Sequence, residues 1–231
     1  MGDEHEGEGP ATTRAHTARG NYRRNRDRTS SCRRAIAECQ GVRAHARSYG
    51  RPLLFRSQAR SQRITEGKRG APLLLTLQIV EAKDCALLPW ARVDIWHADG
   101  LGLYSGYADQ ETGSTRGETF LRGTQFTGTG GEVRFTTIYP GWYPGRTPHI
   151  HFKVFIDNRN VITSQLYFPE AVTKQVYATT LPYRERKEER DTFNADDFIF
   201  VKQGGPDTIV NLEEKNSSYL ASLVIGIERN R

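Results

Sequence analysis

The 231-residue sequence has no long apolar run and few cysteines. No window approaches about 18 consecutive apolar residues, so the sequence predicts no membrane-spanning helix. The opening stretch MGDEHEGEGPATTRAHTARG contains no apolar signal-peptide core, which favours a cytoplasmic protein. Three cysteines, Cys32, Cys39 and Cys85, make neither a disulfide framework nor a paired zinc motif. We expect buried free thiols, with a Cys39–Cys85 pair as the alternative in an oxidising compartment.

Acidic residues are scarce in the first third of the chain. Residues 1–70 carry 16 Lys and Arg against 7 Asp and Glu, whereas residues 71–231 carry 17 against 20. The basic stretch RGNYRRNRDRTSSCRR has one aromatic residue, Tyr22, and no recognisable nucleic-acid-binding module. We therefore predict a basic, poorly ordered N-terminal segment at 1–60, and its composition favours a solvated tail or leader remnant over a nucleic-acid-binding arm. The folded domain is predicted to span 61–231.

Short strands separated by turn signals fill that domain. The run PLLLTLQIV at 72–80 has strand length, and ARVDIWHAD and EVRFTTI alternate apolar with polar residues. HIHFKVF, VITSQLYF and YLASLVIGI continue the series between segments such as HADGLGLYSG and GTGGE. Within this domain, the sequence pattern predicts a short helix only at residues 171–183. The pattern predicts an all-β fold, a β-sandwich of mainly antiparallel strands with long loops.

Two histidines, a tyrosine and an arginine lie within WYPGRTPHIHF, residues 142–152. Side chains alternate along a strand, so His149 and His151 point to one face and can chelate zinc, copper, nickel or iron. A Pro-Gly turn can fold Tyr143 back toward the same space, and Tyr104 closes the loop after another strand. A phenol has a pKa of about 10, so only a strongly charged neighbour such as a ferric ion would ionise it at neutral pH.

From Thr65 onward the chain resembles the intradiol ring-cleavage dioxygenases, the non-haem Fe(III) family that includes catechol 1,2-dioxygenases and protocatechuate 3,4-dioxygenases. The motifs that carry the resemblance are ITEGKRGAPLLLTLQIV, ARVDIWHADGLGLYSGY, TFLRGTQFT, FTTIYPGWYPGRTPHIHFKV and TSQLYF. One family segment, Thr-x-Gly-Pro-Tyr-Tyr ahead of TEGK at the pocket rim, has only a partial counterpart in this sequence. The rim, and with it the substrate preference, is therefore the least constrained part of the resemblance.

The resemblance implies an oxidoreductase that incorporates both atoms of O2 into a single-ring catechol. Cleavage between the two hydroxyl-bearing carbons would give a cis,cis-muconate-type dicarboxylic acid, as in aromatic compound catabolism. Arg146 would face the bound ring, Gln165 would lie beside it, and Tyr143 would also act as a general base. The iron ligands implied by the resemblance are Tyr104, Tyr143, His149 and His151.

Two alternatives stay open: a catalytically silent β-sandwich binding module of the same fold, and a His-x-His zinc or copper enzyme. We expect the catechol and O2 as partners, without nucleic acid or membrane, and the sequence leaves open whether the chain forms a homo-oligomer.

Residues 100–103 offer no partner for a ring carboxylate, which favours catechol or hydroxyquinol. His97 is predicted to lie away from the metal.

Overall fold

The computed structural model describes residues 62–110 and 113–228. The strands in this part of the chain are β1 Pro72–Glu81, β2 Arg92–Trp96, β3 Arg122–Phe126, β4 Glu132–Ile138, β5 His149–Ile156, β6 Arg159–Tyr167, β7 Asn211–Lys215 and β8 Ser218–Ile227. The α-helices are α1 Glu170–Thr179 and α2 Phe198–Lys202. Short 3-10 helices span Tyr183–Glu185, Asn194–Asp196 and Gly205–Thr208.

The strands form two four-stranded sheets, in the orders β4-β1-β8-β7 and β3-β2-β5-β6. Every pair of neighbouring strands is antiparallel except β1 and β8, which run parallel. In the first sheet Leu75 lies between Phe135 of β4 and Ala221 of β8. The predicted all-β sandwich of mainly antiparallel strands is therefore confirmed.

The apolar core fills the space between the two sheets. Alternate residues of β1, from Leu73 to Ile79, are at most 1% exposed, and Val93 and Ile95 of β2 meet them from the other sheet. Burying each such side chain stabilises the fold by about 1.5–3 kcal/mol before the entropy of ordering is counted. Because one face of β5 packs into this core through Ile150, the alternate residues of β5 face outward.

The predicted strands are all present, but two further strands, β3 and β7, were not predicted. The predicted helix at 171–183 begins at Glu170 and ends earlier, at Thr179, ahead of Pro182, which cannot continue a helix.

The segment predicted at 1–60, with Cys32 and Cys39, lies outside the described residues. Cys85 is a half-buried free thiol. Among the described residues, no helix is long and apolar enough to cross a membrane.

The outer face of the sheet β3-β2-β5-β6 carries the predicted histidines. His149 pairs with Tyr167 of β6, and His151 lies between Trp96 of β2 and Gln165 of β6. All five side chains share this face, because residues directly opposite each other in neighbouring strands point the same way. The candidate site is therefore at one end of this sheet, where the loops after β2 and β4 approach it.

Candidate metal centre

Four predicted ligand atoms converge on one point above the start of β5. The Nε2 atom of His149 lies 3.1 Å from Nε2 of His151, 3.1 Å from Oη of Tyr104 and 3.3 Å from Oη of Tyr143. Oη of Tyr104 is 3.2 Å from Nε2 of His151. The structure thus brings together two phenols from two loops and two imidazoles from one strand.

Backbone contacts orient the first imidazole. Nδ1 of His149 lies 2.7 Å from the carbonyl oxygen of Thr147, and a carbonyl can only accept a hydrogen bond. Nδ1 therefore carries the proton, and the lone pair of Nε2 faces the other three donors. His149 is 2% exposed, so its ring has little freedom to turn. This is the tautomer that a metal ligand requires.

A tight turn sets Tyr143 and Arg146 side by side. The amide of Arg146 donates to the carbonyl of Tyr143 over 3.1 Å, and Gly145 has φ of +77°. Proline at the second position and a positive-φ glycine at the third are the requirements of a type II turn, which Pro144 and Gly145 meet. Nη1 of Arg146 consequently donates to Oη of Tyr143 over 3.3 Å.

The backbone of Tyr104 is held on both sides by one glutamine. The Gln110 amide oxygen accepts from the Tyr104 amide, and the Gln110 Nε2 donates to the Tyr104 carbonyl, each over 2.8 Å. The Thr115 hydroxyl donates to the same carbonyl over 2.6 Å. These contacts position the Tyr104 phenol from within its own loop, without support from a strand.

A buried carboxylate organises the loop that leads to Tyr104. Asp99 accepts hydrogen bonds from the amides of Leu101 and Leu103, each over 3.0 Å, and Lys68 pairs with it over 3.0 Å. The Asp99 carbonyl also accepts from the Gly141 amide over 3.1 Å. A β-carbon at Gly141 would lie 2.2 Å from that carbonyl, so only glycine lets the two ligand loops approach this closely.

Burial keeps all four donors neutral in the absence of a cation. Desolvation lowers the pKa of His149 and of His151 well below the usual range, and nearby positive charge acts in the same direction. Desolvation raises the pKa of Tyr104 well above its usual range, and neighbouring Tyr143 adds to this. The pKa of Tyr143 is also raised by burial, although Arg146 opposes the rise. The imidazoles are neutral, as metal ligands must be, whereas the phenols need a strong positive charge to ionise.

The donor set fits a single metal ion. Bonds from a metal to nitrogen or oxygen are about 2.0–2.2 Å, so two ligand atoms at an angle of about 90–110° on one ion lie about 2.8–3.6 Å apart. The four observed separations, 3.1 to 3.3 Å, fall in this range. No cluster of three or more His, Cys, Asp or Glu side chains that could hold a metal occurs within the described residues. The phenols are therefore the side chains placed to add to a site built on these histidines, and phenolate oxygen favours a hard, highly charged ion.

Arg146 and Gln165 join the centre through one hydrogen-bond network. Nη2 of Arg146 donates to Oε1 of Gln165, and the Tyr167 hydroxyl donates to the same oxygen over 2.7 Å. Nε2 of Gln165 lies 3.3 Å from Nδ1 of His151. The Arg146 side chain is 15% exposed, and its Nε donates to the fully buried Asp197 over 2.8 Å. The predicted pair is thus next to the ligands, with Tyr167 and Asp197 as additional members.

Besides Tyr167 and Asp197, sequence reasoning missed Trp96 and Gln110, which also lie beside the ligands. The Trp96 ring is stacked on His151, with centroids 4.7 Å apart and planes 4° from parallel. Gln110, which holds Tyr104, was also missed, because its partner lies six residues away across an irregular loop. The position of Trp96 could have been found from strand pairing, because β2 and β5 place it opposite His151. His97 is not at the site, as predicted: its ring nitrogens contact Ala98 and Thr137.

The fold and the site together define a β-sandwich protein with a candidate metal centre of two phenols and two imidazoles. A family model described as "Dioxygenase" matches residues 54–179. The intradiol ring-cleavage dioxygenase from Tetranychus urticae is 32% identical in a structural alignment, with a TM-score of 0.67, and 72% of this chain and 85% of that chain are covered. The chain belongs to the intradiol ring-cleavage dioxygenase family.

Two further relatives come from bacteria. The dioxygenase domain of a dioxygenase carbohydrate-binding protein fusion from Streptomyces sp. SirexAA-E is 27% identical, with a TM-score of 0.52, over 72% of this chain and 87% of that one. A chlorocatechol 1,2-dioxygenase from Cupriavidus pinatubonensis is 29% identical over 113 residues, which are 41% of this chain. The match covers 42% of that relative's length, less than half of it.

Proposed function

We propose that this chain is a non-haem Fe(III)-dependent dioxygenase that cleaves a single-ring catechol between its two hydroxyl-bearing carbons. Both atoms of O2 enter the product, a cis,cis-muconate-type dicarboxylic acid. The observation that carries the proposal is the convergence of Tyr104, Tyr143, His149 and His151, whose donor atoms lie 3.1–3.3 Å from their neighbours. Family membership supports the same reaction class.

Iron(III) fits the charges that these residues offer. When bound, it would supply the positive charge that ionises both phenols and the electron withdrawal that makes a bound catechol reactive toward O2. The phenolates of Tyr104 and Tyr143 would offset two of its three charges, which limits the desolvation cost in a partly buried site. A site that needs two ionised tyrosines is poorly matched to zinc, one of the two metals of the His-x-His alternative.

Tyr143 is the residue best placed to move a proton. Tyr143 is half-buried and begins the turn that continues through the exposed Pro144 and Gly145 to Arg146. Arg146 donates to Tyr143 Oη over 3.3 Å and so stabilises negative charge on that oxygen. As a phenolate, Tyr143 Oη can accept a proton from an incoming catechol hydroxyl, which is general-base catalysis. Arg146 would then stabilise the negative charge that develops on the ring.

The rim favours a catechol without a ring carboxylate. The loop at 100–103 contributes Leu101, which is 47% exposed, and Leu103, which is half-buried, and carries no charged side chain. The side chains of this loop accept ring carbons or a chlorine substituent, and none of them offers a partner to a carboxylate. Catechol and hydroxyquinol are the proposed substrates, and protocatechuate is the expected poor one.

The proposal is tested by colour and oxygen uptake. Protein supplied with Fe(III) should absorb visible light through ferric tyrosinate, consume O2 with catechol, and place two ¹⁸O atoms in the product from ¹⁸O2. Tyr104→Phe and Tyr143→Phe should each shift or bleach the visible band. Tyr107→Phe is the matched control and should leave the band unchanged, because the Tyr107 ring lies 6.0 Å from that of Tyr104 without joining the cluster. Colourless iron-loaded protein would refute the proposal. Coloured protein that consumes no O2 would indicate the silent binding module.

A further inference from the structure

Asp197 is a fully buried carboxylate shared between a helix and the candidate site. Its Oδ1 atom accepts from the amides of Ile199 and Phe200, over 2.8 and 3.1 Å, and so caps the start of α2. Its Oδ2 atom accepts from the amide of Thr147 over 3.0 Å and from Nε of Arg146 over 2.8 Å. Four donors therefore fix this carboxylate, and one of them belongs to the proposed catalytic arginine.

The contact at Nε decides where the rest of the guanidinium points. A guanidinium is planar and rigid, so holding Nε against Asp197 leaves Nη1 and Nη2 with fixed directions. Nη1 points to Oη of Tyr143, and Nη2 points to Gln165 and, over 3.4 Å, to Oη of Tyr167. Without the carboxylate, Arg146 would carry an uncompensated charge at a site where its side chain is 15% exposed. Rotation toward solvent would then relieve that charge and remove Nη1 from Tyr143.

We propose that Asp197 is a positioning residue for the ring-cleavage reaction, acting through Arg146. It holds the guanidinium plane so that one edge faces the Tyr143 oxygen and the bound ring, and it balances the arginine charge. The Asp197 carboxylate accepts its hydrogen bonds from the four groups named above, and none of these groups belongs to a metal-ligand side chain. This inference rests on the proposed function, because it assigns Asp197 a part in that reaction.

The experiment separates the two roles of the carboxylate. In Asp197→Asn the side-chain oxygen can still cap α2, since asparagine caps helices as well as aspartate, but the charge that pairs with Arg146 is gone. We expect kcat with catechol to fall about 10- to 100-fold, the range associated with a misplaced catalytic group, with iron content and visible band retained. The matched control is Glu170→Gln, which breaks the ion pair of Glu170 with Arg190 near the same segment. Its kcat should stay within about twofold of the wild type.

A double-variant cycle makes the assignment specific to Arg146. If Asp197 acts through Arg146, Asp197→Asn should reduce kcat no further when it is added to Arg146→Gln. The double variant has no unpaired buried charge, so its kcat can be compared with that of Arg146→Gln even where Asp197→Asn alone folds poorly. Melting of the metal-free proteins shows whether each variant is folded. An unchanged kcat in Asp197→Asn, or a further loss in the double variant, would overturn the inference. An inactive wild type would instead reject the proposed function.

Discussion

His97 lies just ahead of the loop that presents Tyr104, and it should make the fold sensitive to mild acid. Its Nδ1 lies 2.8 Å from the carbonyl of Ala98, which can only accept, so Nδ1 carries the proton. Nε2 therefore accepts from the Thr137 hydroxyl over 2.7 Å. The ring is 1% exposed, and burial lowers its pKa from 6.5 to about 4. The neutral imidazole is satisfied on both sides, whereas the charged form would be desolvated.

The size of the effect follows from this pKa difference. Below pH 6.5 the unfolded chain binds a proton at His97 that the folded chain does not bind until the pH is near 4. Stability from this group is therefore fully present above pH 6.5 and is lost as the pH falls toward 4. Between pH 7 and pH 5 the free energy of unfolding should fall by about 2 kcal/mol through His97 alone, a change of about 20-fold in the folding equilibrium.

Urea unfolding of the metal-free protein at pH 7 and pH 5 measures this quantity. His97→Gln is neutral at both pH values, so its stability should fall by about 2 kcal/mol less than that of the wild type over the same interval. The other buried histidines contribute equally to both proteins and cancel in the difference. Equal pH dependence in the two proteins would refute the neutral, buried assignment of His97. A loss of stability in His97→Gln that is equal at pH 7 and pH 5 would not refute it, since such a loss reports packing alone.

Three further predictions concern the core and the loops. Leu75→Ala should lower the free energy of unfolding by about 2–5 kcal/mol in urea titrations, because Leu75 is fully buried between the sheets. Gly141→Ala should lower both the melting temperature and the iron content, since the new β-carbon would lie 2.2 Å from the carbonyl oxygen of Asp99. Gly128→Ala should change neither, because a β-carbon at Gly128 has no atom within 4 Å. Gln110→Ala removes two hydrogen bonds from the Tyr104 backbone, each worth about 1 kcal/mol, so competition with a chelator should show metal affinity reduced by up to about 30-fold. An equal reduction in Gln78→Ala, whose amide only reaches a carbonyl over 3.4 Å, would contradict this role.

Continuous or alternating apolar residues were enough to predict the strands that carry the core. Val93 and Ile95 of β2 are buried as the pattern requires, and β4 and β5 behave in the same way. The two missed strands lack that signal. The sequence of β3, RGTQF, has no buried residue, and Gly123 lies where a β-carbon would meet Ile64 and Phe135. β7, NLEEK, is an edge strand that is mostly exposed. Both are held by their neighbours more than by their own patterning.

The candidate ligands could be named from spacing and resemblance because each lies in or beside a short motif. The residues that position these ligands could not be named from the sequence, because only the tertiary structure places them beside the ligands. Asp197 reaches Arg146 from 51 positions away in the chain, and the only local signal at Asp197 is that of a helix cap. The substrate rim is less constrained still, since the family segment with only a partial counterpart lies ahead of residue 62.

The parallel pairing of β1 with β8 has a consequence for synthesis of the protein. Leu75 cannot meet Ala221 until nearly the whole domain has left the ribosome, so one sheet stays incomplete while the other strands are already present. Until then β1 has one open edge, and β7 lacks its partner altogether. Open strand edges are templates for aggregation. Yield of the native protein should therefore depend on how well nascent chains are shielded during this interval.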